Sequence, residues 1–201
     1  MVRKRAAKLY QLKVTLVDSK PPIWRRILVA GNMRLDGLHG VLQIVFGWTE
    51  SHLHQFIVGS EGPKRGGINA ILRSGVYYSD PEFELEEAED ETKVRLDEVA
   101  DQEKFRFVYE YDLGDSWMHE ILVEKISVME KGEEVPRCLE GKLAGPPDDI
   151  GGIWGYYEML DALADPKHER HEEMKEWIGE YDPERFDVAE VNAELKEAFG
   201  K

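Results

Sequence analysis

The sequence predicts an α+β fold: a mainly antiparallel, roll-like sheet with one early helix packed on it and further helices at the C-terminal end. Three observations carry that prediction. Strand periodicity dominates the first two thirds of the chain. Two long strand segments are joined by a connection too short for a crossover, so they must pair antiparallel. Helical periodicity fills the last quarter, and strands and helices do not alternate as a parallel sheet would require.

The elements follow in order. "KLYQLKVTLV" is rich in β-branched residues and ends at the turn "DSKPP", which reads as a strand. "PPIWRRILVAGN" then gives a second strand over Ile23 to Val29, hairpin-paired with the first, with Trp24, Arg26 and Leu28 on one face and Ile23, Arg25, Ile27 and Val29 on the other. "MRLDGLHGVLQIVFGW" places Leu35, Leu38, Leu42, Val45 and Phe46 at helical spacing, with Gly47 as the stop. Asp36, His39 and Gln43 form a polar strip read as lying opposite the core. "HLHQFIVG" is a strand ending at Gly59.

Residues 60 to 103 are less regular. "SEGPKRGG" reads as loop, and eight carboxylates between Asp80 and Glu91 suit a solvated acidic insertion over about 79–92. "KVRLDEV" reads as a short strand and a turn. Alternation returns in "KFRFVYEYD", with Phe105, Phe107, Tyr109 and Tyr111 on one face, and in "SWMHEILVEKISV", with Trp117, His119, Ile121 and Val123 together. The intervening "LGDS" is a hairpin connection in which Gly114 is expected to supply the positive φ. From Pro136 to Gly152, three prolines and four glycines read as stiff and irregular rather than strand. "IWGYYEMLDALADP", "HERHEEMKEWIGEY" and "DPERFDVAEVNAELKEAF" are helices, the last with Asp187 and Glu190 as a capping box and Val188, Val191, Leu195 and Phe199 as the apolar stripe. The expected organisation is one domain over 1–201, with a core at about 8–164 and a helical extension at about 168–200.

Composition bounds the function. With 201 residues, 42% of them hydrophobic, the chain has ample material for a core. Asp plus Glu outnumber Lys plus Arg by 41 to 26, and the net charge of -15 repels phosphate backbones and anionic membranes. Nucleic-acid contact would need a local basic patch, for which Arg3, Lys4, Arg5, Arg25, Arg26, Lys64 and Arg65 are the candidates and Trp24 the stacking surface. Arg25 and Arg26 point to opposite strand faces, which weakens such a patch. The lone Cys138 excludes an internal disulfide, and no run of signal-peptide or membrane-span length occurs, so the expected setting is cytoplasmic. No G-x-G-x-x-G opens a helix and no Walker A sequence is present.

Of the six histidines, His52 and His54 are spaced i and i+2 on an expected strand and project to the same face, as two metal ligands on a strand must. His119 lies on another strand, near Asp112 and Asp115 across the turn. A site of His52, His54, His119 and a carboxylate has the ligand number and type for zinc or another divalent ion, though each histidine equally suits a hydrogen-bonded structural role. His168 and His171 stand among charges and read as surface groups. Cys138 is a soft ligand or nucleophile only if the fold brings it a partner. Asp148 and Asp149, after a stiff Pro-Pro, either support a helix N-terminus or hold a cation. Asp112 and Asp115 are what a turn prefers, and gain a chemical role only if they share a cleft with the histidines. The full candidate cleft is His39, Gln43, His52, His54, Asp112, Asp115, Trp117, His119, Cys138, Asp148 and Asp149.

The stretches "YQLKVTLVDSKPPIWRRILV", "LHGVLQIVFGWTESHLHQF", "YEYDLGDSWMHEI" and "CLEGKLAGPPDDIGGIWGYYEML" resemble, in order and spacing, the plasmid pRiA4b ORF-3-like family, also described as the TnpR-labelled passenger protein of an IS1096-type insertion element. The resemblance runs from about Tyr10 to Leu163 and implies an α+β roll-like domain, but it brings no activity. A serine recombinase needs an activated serine, supporting arginines and usually a helix-turn-helix, and no such arrangement is visible. Three readings follow: a non-enzymatic accessory module of mobile elements that binds a protein partner or small ligand, a metal-dependent hydrolase or nuclease-like enzyme using the His/Asp cluster, and a nucleic-acid-binding accessory protein. The first is favoured because no complete catalytic set can be read.

Overall fold

The computed structural model describes residues 7–59 and 67–200. Eight strands form one mostly antiparallel open sheet: β1 (Lys8–Leu16), β2 (Trp24–Ala30), β3 (His54–Gly59), β4 (Gly75–Ser79), β5 (Ala88–Asp90), β6 (Arg106–Tyr111), β7 (Trp117–Val128) and β8 (Arg137–Lys142). Their spatial order is β5-β4-β3-β6-β7-β1-β2-β8, and β4 with β5 is a parallel pair. The helices are α1 (Leu35–Phe46), α2 (Gly67–Ser74), α3 (Leu96–Val99), α4 (Gly152–Ala164), α5 (His171–Ile178) and α6 (Val188–Phe199). This is the expected α+β class, with an early helix and a C-terminal helical group.

One sheet face carries the main core. Register places Leu12 opposite Ile27 and Val123, Val14 opposite Arg25 and Ile121, and Tyr109 opposite Phe56 and His119. Strand alternation puts all of these on one side, where they join Leu35, Leu38 and Leu42 of α1, Met159 of α4 and Leu195 of α6. Those three α1 leucines are fully buried, at about 1.5–3 kcal/mol of transfer free energy each. On the opposite face α2 covers a small patch, with Ile71 against Ile57 and Val108. The left-handed Gly47, φ 80°, ends α1 by donating to the carbonyls of Gln43 and Ile44, as the sequence led one to expect.

Several expectations need correction. The segment from Pro136 contains β8, which pairs with β2 from Trp24↔Lys142 to Leu28↔Arg137. The acidic run is not simply a solvated loop: it contains the edge strand β5, and Glu91 at its end is 1% exposed. "KVRLDEV" forms the end of a 3₁₀ turn and then α3, not a strand. In the β6–β7 hairpin, Asp112 (φ 53°) and Ser116 (φ 54°) take the left-handed conformation instead of Gly114. Of the basic patch, Arg3, Lys4, Arg5, Lys64 and Arg65 lie outside the described residues. Arg25 is buried, while Arg26 on the other face pairs with Glu124 and Glu140. No helix among the described residues is long and apolar enough to cross a membrane.

Candidate functional site

At one end of the sheet β3 begins, β6 ends and β7 begins, with His54 opposite Tyr111 and Tyr111 opposite Trp117. The hairpin turn there is organised by Asp112. Its Oδ1 accepts from the backbone N–H of Gly114 at 2.9 Å and of Asp115 at 3.2 Å, an Asx-type turn that offsets the left-handed backbone. The second loop docks onto this turn: Gly151 N–H donates to Asp115 Oδ2 at 2.9 Å. Gly152, φ 67°, lies so close that a Cβ on it would come 2.5 Å from the Asp115 carbonyl oxygen. Residues far apart in sequence are thereby fixed side by side.

His52 sits between the two loops. Its Nδ1 is 3.7 Å from Asp112 Oδ2 and its Nε2 is 3.2 Å from Asp149 Oδ1. Nε2 is buried and makes no hydrogen bond of good geometry, so its proximity to Asp149 is not a direct bond. One donor atom from each of His52, Asp112 and Asp149 lies within 4.8 Å of the others. The side chain of Asp112 is 12% exposed and that of Asp149 69%, so the trio opens to solvent on the Asp149 side. One imidazole and two carboxylates are a donor set for zinc, manganese or a similar divalent ion. Beside it, Asp148 Oδ2 accepts from Thr49 Oγ1 at 3.1 Å, while Asp148 Oδ1 and the indole N–H of Trp117 are buried without partners.

The other expected histidines go elsewhere. β3 starts only at His54, so His52 precedes the ladder; its ring packs edge-on against Tyr111, while that of His54 packs near His39 and Tyr109. His54 is 3% exposed; its Nε2 lies 2.9 Å from Glu91 Oε1, and its ring stacks on His39 at 3.4 Å between centroids. His39 Nδ1 lies 2.7 Å from the Tyr109 hydroxyl, which accepts from Gln43 Nε2 at 2.9 Å. Burial, and then the neighbouring His54, push the His39 pKa down to about 3. His39 and Gln43 thus face the sheet, opposite to expectation, because the Tyr109 hydroxyl awaits them there, while Asp36 stays outside and pairs with Arg34. His119 is fully buried among Phe46, Trp48 and Tyr109, and burial lowers it likewise to about 3. The fold disperses His52, His54 and His119 instead of collecting them around one ion.

A model of the plasmid pRiA4b ORF-3-like protein family matches residues 8–190. The chain belongs to the pRiA4b ORF-3-like family. A relative from Sinorhizobium fredii (strain NBRC 101917 / NGR234), the uncharacterized protein y4hQ, is 37% identical over 199 residues, covering 97% of this chain and 94% of that protein. The crystal structure of MM3350 from Methanosarcina mazei Go1, a protein of unknown function, superposes with a TM-score of 0.78 at 35% identity, covering 92% of this chain and 98% of that one.

Within this pRiA4b ORF-3-like chain the remaining sequence candidates separate clearly. Asp112 and Asp149 flank His52, while Asp115 accepts from Gly151 N–H, Asp148 accepts from the Thr49 hydroxyl, and Trp117 lies opposite Tyr111 in the β6–β7 ladder. Neither Asp148 nor Asp149 caps α4, whose N-cap is the left-handed Gly151 with no side-chain bond. Cys138 lies on β8, five strands from β3 in the sheet order, and is buried. Burial raises its thiol pKa, so it is neither a ligand of this site nor an activated nucleophile. His171, read as a surface group, has Nδ1 2.9 Å from the Ala162 carbonyl oxygen on α4. Sequence reasoning missed Glu91, one of eight carboxylates between Asp80 and Glu91 with nothing to single it out, and Thr49, a hydroxyl just past the α1 stop.

Proposed function

We propose that this protein is a binding module whose ligand site is centred on a divalent cation held by His52, Asp112 and Asp149. The observation that carries the reading is the convergence of the three donors within 4.8 Å while His52 Nε2 is left without a hydrogen bond. Buried ring nitrogens are normally satisfied, and a shared ion would satisfy this one and neutralise two adjacent carboxylates together. Burial of Asp112 and exposure of Asp149 leave the ion anchored below and open above, so a small ligand or a partner's side chain would complete its coordination.

The same opening favours a second reading, a metal-dependent hydrolase. Water on the exposed side would be acidified by the ion, and the unpartnered Asp148 Oδ1 stands beside the trio.

Protein purified without a histidine tag, analysed for bound elements and titrated calorimetrically with zinc and manganese, tests the site. One ion per chain is expected, lost in His52→Ala and Asp149→Asn and kept in His54→Gln. A metal-free preparation that shows no saturable uptake of either ion would sink the proposal. Phosphodiester or ester turnover by the loaded protein would select the hydrolase reading.

A further inference from the structure

A cavity of about 280 Å³ lies between the end of α1, the stretch before α6 and α6 itself, and shares none of the three metal-centre residues. At its base is Arg25, 1% exposed. The guanidinium is sandwiched between Phe46, 4.9 Å away, and Phe186, 3.9 Å away. Nε donates to the Val45 carbonyl at 2.6 Å, and Nη1 donates to those of Trp24 at 2.9 Å and Lys142 at 3.0 Å. All three acceptors are uncharged, and Nη2 takes no part in these bonds.

Buried charges are ordinarily paired with an opposite charge, yet Arg25 forms no ion pair among the described residues. The C-terminal carbonyls of α1 offer only about half an elementary charge. Burial lowers its pKa to about 10, so the group stays cationic at neutral pH.

The mouth has the opposite sign. Glu180 and Glu194 line it and are exposed. The neighbouring acids are already engaged: Glu190 by Arg185, Asp182 by the N–H of Glu184, and Asp187 by the N–H groups of Ala189 and Glu190. The charge order is a cation at depth and free carboxylates at the opening. A simple anion would have to pass that rim and a net charge of -15.

We infer that this cavity binds a small zwitterion, an amino acid with a carboxylate for Arg25 and an ammonium group for Glu180 and Glu194. The test is calorimetric titration of the full chain in EDTA, which removes the divalent-ion site from the outcome, with lysine, glycine, lysinamide and inorganic phosphate. Saturable binding of lysine is expected, weakened about tenfold or more on replacing its carboxylate by an amide, the loss of one charge-assisted contact to Nη2. Phosphate should bind at least tenfold more weakly than lysine. Arg25→Lys should lose a similar factor if it folds. The surface double variant Glu180→Gln/Glu194→Gln, which leaves the core untouched, should weaken lysine more than glycine. Equal binding of lysine and lysinamide, tight binding of phosphate, indifference to the double variant or no saturation by either amino acid would each overturn the assignment.

Discussion

Gly152 meets Asp115 backbone to backbone, with room for no Cβ: one placed there would lie 2.5 Å from the Asp115 carbonyl oxygen, and the glycine's φ is 67°. This contact, with the Gly151 N–H to Asp115 Oδ2 bond, locks the turn bearing Asp112 to the loop bearing Asp149. Gly152→Ala should incur both left-handed strain and a backbone clash, lowering stability by about 2–3 kcal/mol. Moving the loops apart should also weaken zinc binding at least tenfold. Denaturant unfolding and a zinc titration of the same variant check both halves, and an unchanged midpoint with unchanged affinity would refute the locking role.

The His54–Glu91 pair separates stability from binding. Both side chains are nearly inaccessible, at 4% and 2%, so deleting the carboxylate in Glu91→Ala strands an imidazole nitrogen and leaves a cavity. A loss of about 2–4 kcal/mol is expected. Because His54 is outside the trio of metal donors, the affinity for zinc should stay within about twofold in the folded variant. A parallel collapse of zinc binding would place His54 back in the centre.

Where the sequence was legible, the decisive contacts were local. The alternation of Trp117, His119, Ile121 and Val123 is set by the pleat alone, the end of α1 by Gly47, and the start of α6 by Asp187, which accepts from Ala189 and Glu190 N–H. Where it was not, the deciding partner lay far along the chain. Gln43 and His39 face inward because Tyr109 waits on β6. Glu91 is buried because His54 lies across the sheet edge. Gly145, counted as a loop former, is needed where the chain passes under α1: a Cβ there would fall 1.9 Å from the Phe46 carbonyl oxygen. The candidate site was half legible for the same reason. His52, Asp112 and Asp149 are all visible as residues, but that β3 begins at His54, which detaches His52 from its neighbour, is a fact of tertiary pairing.

His119 makes the fold acid-sensitive. Folding holds its pKa near 3, against 6.5 for an ordinary imidazole, because burial disfavours the charged ring. Between those values the unfolded chain binds the extra proton, so stability is complete above about pH 6.5 and falls as the pH drops toward 3. His39, lowered to about 3 as well, contributes in the same direction. His119→Phe removes one of the two titrating rings. Urea unfolding from pH 6 to 4 should show its stability falling more gently than that of the parent, by about 1.4 kcal/mol per pH unit. Identical slopes for the two proteins would mean that His119 is protonated in the native state.

Asn192 caps the β8 edge of the sheet at Cys138. Its Oδ1 accepts from Cys138 N–H at 2.8 Å and its Nδ2 donates to the Cys138 carbonyl at 2.9 Å, so one side-chain amide from α6 imitates the peptide of a further strand on β8. Edge strands left unpaired invite pairing between copies. Asn192→Asp keeps the acceptor but sets a second oxygen against the Cys138 carbonyl, and should cost about 2–3 kcal/mol at neutral pH. Protonating that carboxyl restores a donor, so the deficit relative to the parent should shrink on acidification to about pH 4. Asn192→Leu offers neither group and should show a deficit of about 1–3 kcal/mol that does not change with pH, together with concentration-dependent light scattering. If the aspartate and leucine variants respond identically to acid, the amide is not acting as a surrogate strand.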